Sequence, residues 1–145
     1  YLFAYSLSTI GVFLTLIWVE KIKRETSFEA FKGLAKTEPI AAVATAVSLL
    51  SMAGIPLTAG FVAKFSIFAQ AMNGAAFLVL IAVIGSALSI AYYLRLIISM
   101  FFHKESSFKT SEKMSITYNI VAIFIIVAIL ALGIYPDLFK MQFGL

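Results

Sequence analysis

Residues 39–63 and 65–94 carry no Asp, Glu, Lys or Arg, so Lys64 is the only such charge between Glu38 and Arg95. Just ahead of it, the stretch Met52-Ala-Gly-Ile-Pro-Leu-Thr-Ala-Gly-Phe61 contains Gly54, Pro56, Thr58 and Gly60. Pro56 removes a backbone donor and clashes with the preceding turn, while the two glycines accept non-helical angles. In an apolar helix, these residues predict a break at membrane depth. Lipid cannot satisfy the peptide groups that such a break frees, so the break must be buried in protein or line a wet cavity. Interrupted helices of this kind mark ion and substrate sites in transporters. A lysine at the bilayer centre costs about 2.5–3.5 kcal/mol to insert. Held out of water, it exchanges its proton near neutral pH far more readily than a solvated one, which suits a proton relay. The alternative is snorkelling. Asn73 is about nine residues, or roughly 13 Å, further along a helix, and a lysine stem spans part of that distance.

Other polar positions carry two readings each. Thr45, Ser48 and Ser51 recur every third residue; they either line a water path toward the break or mediate helix packing. Arg95 tunes the same path, or snorkels and pairs locally. Gly85, Ser86 and Ser89 form a small-residue packing face, as do Ser6, Ser8, Thr9 and Gly11. Glu20 and Glu38 sit at helix ends as polar caps, and His103 adjoins a basic loop. Tyr118 and Tyr135 read as interfacial anchors. The sequence supports no catalytic triad, and the glycines lack the lysine–hydroxyl pair of a phosphate loop. With no cysteine and one histidine, the chain offers no thiolate zinc site, no cysteine-ligated iron–sulfur cluster and no multi-histidine metal site.

The elements that must position these residues follow from composition. The chain has 145 residues, 62% apolar and only 12% charged, with a mean hydropathy of +1.03. Soluble domains average roughly 25% charge, and a chain of this length cannot hide so much apolar surface from water. An ordinary soluble domain is excluded, and so is disorder. Runs of about 20 apolar residues match a hydrocarbon core about 30 Å thick. They predict an all-α transmembrane bundle in one domain, with helices at 2–19, 39–72 (broken near 54–60), 76–102 and 116–135. Pro39 suits a first helical turn, Asn73-Gly74 signals a turn, and Pro136 ends the last helix, whose final turn Gly133 loosens. Residues 20–38 are amphipathic, with Phe28, Phe31 and Leu34 among nine charges, and predict a short helix at the interface.

Four crossings place loops 20–38 and 103–115 on one side. That side holds Lys21, Lys23, Arg24, Lys32, Lys36, Lys104, Lys109 and Lys113, against Lys140 alone on the other. The positive-inside rule makes the first side cytoplasmic. The net charge of +4 is therefore membrane topology, and nucleic acid is not an expected partner. The chain starts inside an apolar run without Met and reads as a fragment of a longer membrane protein.

Residues Leu49–Phe65, through Ser51, Gly54-Ile-Pro-Leu-Thr58, Gly60-Phe61 and Lys64-Phe65, resemble the signature S-x-A-G-I-P-P/L-T-x-G-F-x-G-K-F. That pattern belongs to the antiporter-like, proton-translocating membrane subunits of respiratory complex I, NADH-quinone oxidoreductase, and Lys64-Phe65 favours the subunit N branch. The likeness continues through Gly85-Ser86-Ala87, Tyr92-Tyr93-Leu94-Arg95 and, more weakly, Phe31-Lys32-Gly33-Leu34. Leu57 stands where proline is commoner, and Ala63 where glycine usually precedes the lysine. The resemblance implies a fourteen-helix inverted-repeat fold of which this chain supplies the last four helices, with Lys64 as the terminal channel lysine. It also implies a bacterial cytoplasmic membrane, other membrane subunits and the lipid bilayer as partners, and protons as the transported ion. NADH, flavin, iron–sulfur clusters and quinone are expected on other subunits, with no cofactor in this chain. Alternatives are a homologous subunit of a cation/proton antiporter or membrane-bound hydrogenase, and a non-transporting scaffold bundle.

Overall fold

A computed structural model describes residues 1–103 and 113–136. Lys104, Lys109 and Lys140, which contribute to the charge bias, lie outside the described residues. The first helix, α1 (Leu2–Lys23), ends on a left-handed Arg24. It runs four residues past the predicted end, so Lys21 and Lys23 occupy its last turn, where cations favour the carbonyl end of the helix dipole. A 3-10 turn (Phe28–Phe31) and a single-turn helix, α2 (Leu34–Thr37), lead into α3 (Pro39–Ala53), which has Pro39 in its first turn. Next comes Ala59–Phe102, α4, and the last helix is α5, Ile116–Ile134. Among the described residues α1, α4 and α5 are long and apolar enough to cross a membrane.

α4 is continuous in hydrogen bonding but not in direction. Ala75 has non-helical angles (φ −142°, ψ 36°), and Lys64 Nζ lies 3.2 Å from Ser86 Oγ. Those residues would stand about 33 Å apart along a straight helix. The element is therefore a hairpin of two limbs, 59–74 and 76–102, turning one or two residues after the predicted Asn73-Gly74. The first limb continues α3 beyond the interruption, so the predicted broken helix is α3 plus this limb.

α3 is the centre of the bundle and packs against α1, α2, α4 and α5. Its buried residues are almost all small (Ala41, Ala42, Ala44, Thr45, Ala46, Ser48, Ser51 and Ala53, with Leu49), so neighbouring backbones approach closely. α1 meets it with a stripe at helical spacing, Ala4, Ser8, Gly11, Thr15 and Trp18. A Cβ on Gly11 would stand 2.2 Å from Ser48 Oγ. Of the small residues predicted to pack on α1, Ser8 and Gly11 do so, whereas Ser6 is exposed. α5 presents Ala122, Ile125 and Ile129, also one face of a helix. Large side chains elsewhere point outward, including Phe77, Leu78, Leu88 and Phe124, which water would not tolerate but lipid or further transmembrane helices would cover.

The loop end of the bundle is closed by a core of Trp18, Val19, Phe31, Leu34, Met100 and Met114. The amphipathic segment thus contains short helices, and its Ala30, Phe31 and Leu34 pack into this core and plug the end of the bundle. Three contacts tie it to α4: Gly33 N–H donates to Ser99 O (3.2 Å), Ser99 Oγ donates to Phe28 O (3.1 Å), and Arg95 stacks over the Phe28 ring at 5.2 Å.

Candidate functional site

The break is built by two helix ends that cap each other. α3 stops in a Schellman turn: Gly54 is left-handed (φ 85°), Gly54 N–H donates to Ser51 O and Ile55 N–H to Leu50 O, both at 3.0 Å. That motif satisfies two of the four terminal carbonyls and leaves the last two open. Lys64 supplies them. Its Nζ donates to Met52 O at 2.8 Å and reaches Ala53 O at 3.5 Å, where the dipole at a helix C-terminus favours a cation.

The second helix half has the opposite need, since its first N–H groups lack partners. Thr58, its N-cap residue, makes no side-chain cap; its hydroxyl turns back to Ile55 O at 2.7 Å. Gly60 N–H is taken up by Ser51 Oγ at 3.1 Å. So α3 caps α4 through Ser51, and α4 caps α3 through Lys64. The glycines permit this approach: a Cβ on Gly60 would stand 1.8 Å from Ser51 O. α5 covers the other flank. A Cβ on Gly133 would stand 2.3 Å from Leu57 O, so Gly133 serves close approach to the break, and α5 remains helical through it to Ile134. Leu57 adopts φ 73°, a value closed to proline.

Lys64 is partly buried, with its amine turned back to the break and not toward the 73–75 turn that snorkelling would use. A narrow cleft beside it is lined by Tyr1, Ala4, Tyr5, Ser8, Ser51, Met52 and Gly60. Ser8 Oγ lies 2.9 Å from both Ser51 Oγ and Ala4 O, so two hydroxyls of this cleft meet across the contact between α1 and α3. Of the predicted path residues, Ser51 belongs to this cleft. Ser48 is fully buried, its hydroxyl unpaired among the described residues. Thr45 is also fully buried, with its hydroxyl on Ala41 O (2.9 Å). Arg95 is not brought to the break; it stacks on Phe28.

Sequence reasoning missed Ser86, read there as packing. The predicted packing face is not used within the described chain at Gly85, where an added Cβ would meet nothing within 4 Å. The signal for Ser86 was its register, since Lys64 and Ser86 lie eleven residues either side of Ala75. Glu38 holds the N-cap position of α3 but makes no side-chain cap: it is 7% exposed, and its Oε1 accepts the Met114 N–H at 2.8 Å, tying α3 to the entry of α5. Among the described residues no three His, Cys, Asp or Glu side chains group to hold a metal.

Residues 1–89 match the family model described as NADH:quinone oxidoreductase/Mrp antiporter, TM. The chain is 37% identical over 138 residues to NADH-quinone oxidoreductase subunit N of Flavobacterium psychrophilum, covering 94% of this chain and 30% of that protein. It is 37% identical over 146 residues to subunit N of Cytophaga hutchinsonii, covering 100% and 32%. A chain of respiratory complex I from Thermus thermophilus, solved with bound Aureothin, superposes with a TM-score of 0.74 at 29% identity over 93% of this chain and 32% of that one. The chain thus spans about a third of the length of these relatives.

Proposed function

Because the chain belongs to the NADH:quinone oxidoreductase/Mrp antiporter transmembrane family, we propose that it is the broken-helix portion of a subunit N of NADH-quinone oxidoreductase, with Lys64 as a proton-relay site. The observation that carries this reading is the position of the Lys64 amine, held at the open carbonyls Met52 and Ala53 of an interrupted helix. A structural capping role alone would not require the adjoining cleft and its two hydroxyls. Lys64 lines that cleft together with the paired hydroxyls of Ser51 and Ser8. Ser48 and Thr45, one and two turns back along α3, are fully buried and lie outside this cleft.

In this reading the subunit resides in the cytoplasmic membrane of a bacterium, with residues 20–38 and 103–115 on the cytoplasmic side, as their basic residues favour. NADH, flavin, iron–sulfur clusters and quinone sit on other subunits. Electron transfer there supplies the work of moving protons, about 2.3 kcal/mol per charge across 100 mV, and reaches Lys64 by conformational and electrostatic coupling.

The test is NADH-driven proton uptake in inverted membrane vesicles that carry Lys64→Met in the full-length subunit. Complex content and NADH oxidation by an artificial acceptor serve as controls. Pumping and coupled quinone reduction are expected to fall about tenfold or more while both controls hold. Pumping per electron equal to that of the parent would overturn the relay and leave Lys64 as a helix cap.

A further inference from the structure

The three partners of Lys64 are not equivalent. Met52 O and Ala53 O are carbonyls and only accept, whereas Ser86 Oγ, 3.2 Å away, both accepts and donates. An ammonium has three N–H donors and meets three acceptors here. A neutral amine has two donors and a lone pair, and neither carbonyl offers that lone pair anything. Among the described residues Ser86 is the hydrogen-bond partner of Lys64 whose role can reverse when the amine changes its protonation. Ser86 also stands apart from the residues lining the Ser8–Ser51 cleft. Lys64 therefore lines the cleft on one side and meets a hydroxyl outside it on the other, an arrangement that a site receiving a proton and passing it on requires.

We propose that the Ser86 hydroxyl is the proton-exchange partner of Lys64, the contact through which the amine is loaded or unloaded on the side away from the cleft. This rests on Lys64 being a relay. In unloading, an Nζ–H bond breaks as a new Oγ–H bond forms, and the proton first held by Oγ passes to a water molecule beyond Ser86. The nitrogen keeps the electron pair, and the reoriented hydroxyl donates to it. The positive charge leaves with the water, and the reverse sequence reloads the amine. Ser86 is only partly buried, so its hydroxyl has a side not enclosed by this chain. The hairpin at Ala75 fixes the pairing by folding the second limb back on the first in one register.

The test compares Ser86→Thr with Ser86→Val in the full-length subunit of the assembled complex. The two variants share a shape and differ in the hydroxyl. Protons pumped per electron and coupled quinone reduction are read beside Lys64→Met and beside Tyr92→Phe, which removes an exposed hydroxyl elsewhere on the second limb. The expected result is that Val loses about tenfold in coupled rate, while Thr and Tyr92→Phe stay close to the parent. Where Val does not assemble, Ser86→Ala removes the hydroxyl without added bulk and carries the same comparison. Equal rates for Thr and the hydroxyl-free variant, with Lys64→Met inactive, would overturn the role of Ser86 and leave the relay standing. Normal pumping by Lys64→Met would overturn both.

Discussion

Ser51 meets Gly60 twice: its hydroxyl accepts the Gly60 N–H at 3.1 Å, and its carbonyl lies 1.8 Å from where a Cβ on residue 60 would stand. One residue thus closes the end of its own helix with its carbonyl and caps the start of the next with its side chain. The interruption is a tight joint between two rigid helices.

Gly60→Ala is therefore expected to force the halves apart, because its obstacle is a backbone carbonyl that cannot rotate away. The loss should be about 1–3 kcal/mol, as for overpacked sites, and Lys64, one turn further on, should lose its alignment with Met52 O. Thermal unfolding of the purified complex and coupled quinone reduction both measure this. Gly85→Ala is the internal control. It adds a methyl that meets nothing within 4 Å in this chain and, with lipid on that face, should leave stability unchanged or raised by up to about 1 kcal/mol. Equal behaviour of the two variants would refute the close approach.

The break and its lysine were legible because their physics is local: Pro56 and the glycines cannot continue a helix, and a lone charge in an apolar run has no sequence neighbour to explain it. The helix ends at 39, 102 and 116 were legible for the same reason. What sequence could not supply were contacts set by how helices lie against one another. Ser86 looks like one small residue among several until the hairpin places it opposite Lys64. Gly133 looks like a weak last turn until the backbone of Leu57 is found against it. Arg95 and Phe28 are far apart in the chain, and their pairing depends on the loop segment plugging the bundle. The exact turn residue, Ala75 after Asn73-Gly74, depends on the register in which the limbs pack, which turn propensity does not determine.

Arg95 gives a prediction in the other direction. Its guanidinium stacks on Phe28 at 5.2 Å, and neither group touches the break. Arg95→Met and Phe28→Leu should each lower stability slightly, and a double-mutant cycle should return a coupling of about 0.5–1 kcal/mol, the size of a partly exposed cation–π contact. Protons pumped per electron should stay at the parental ratio in both variants. A reduced ratio in Arg95→Met with normal assembly would instead make Arg95 part of the proton path.

Glu38 separates a clamp from a carrier. Its carboxylate is buried at the loop end and accepts the N–H of Met114, itself a buried residue of the core that closes that end. The structural role needs only an acceptor oxygen. Glu38→Gln keeps one, so assembly, thermal stability and pumping should remain near those of the parent. Glu38→Ala leaves a buried N–H without its partner and should cost about 1–3 kcal/mol, seen as a lower unfolding temperature of the purified complex, with pumping per electron unchanged in the fraction that assembles. A proton carrier would reverse the pattern, because Gln cannot ionise. A stable Glu38→Gln complex that reduces quinone without pumping would show that this carboxylate loads protons at the loop end of α3, with the Met114 contact incidental to it.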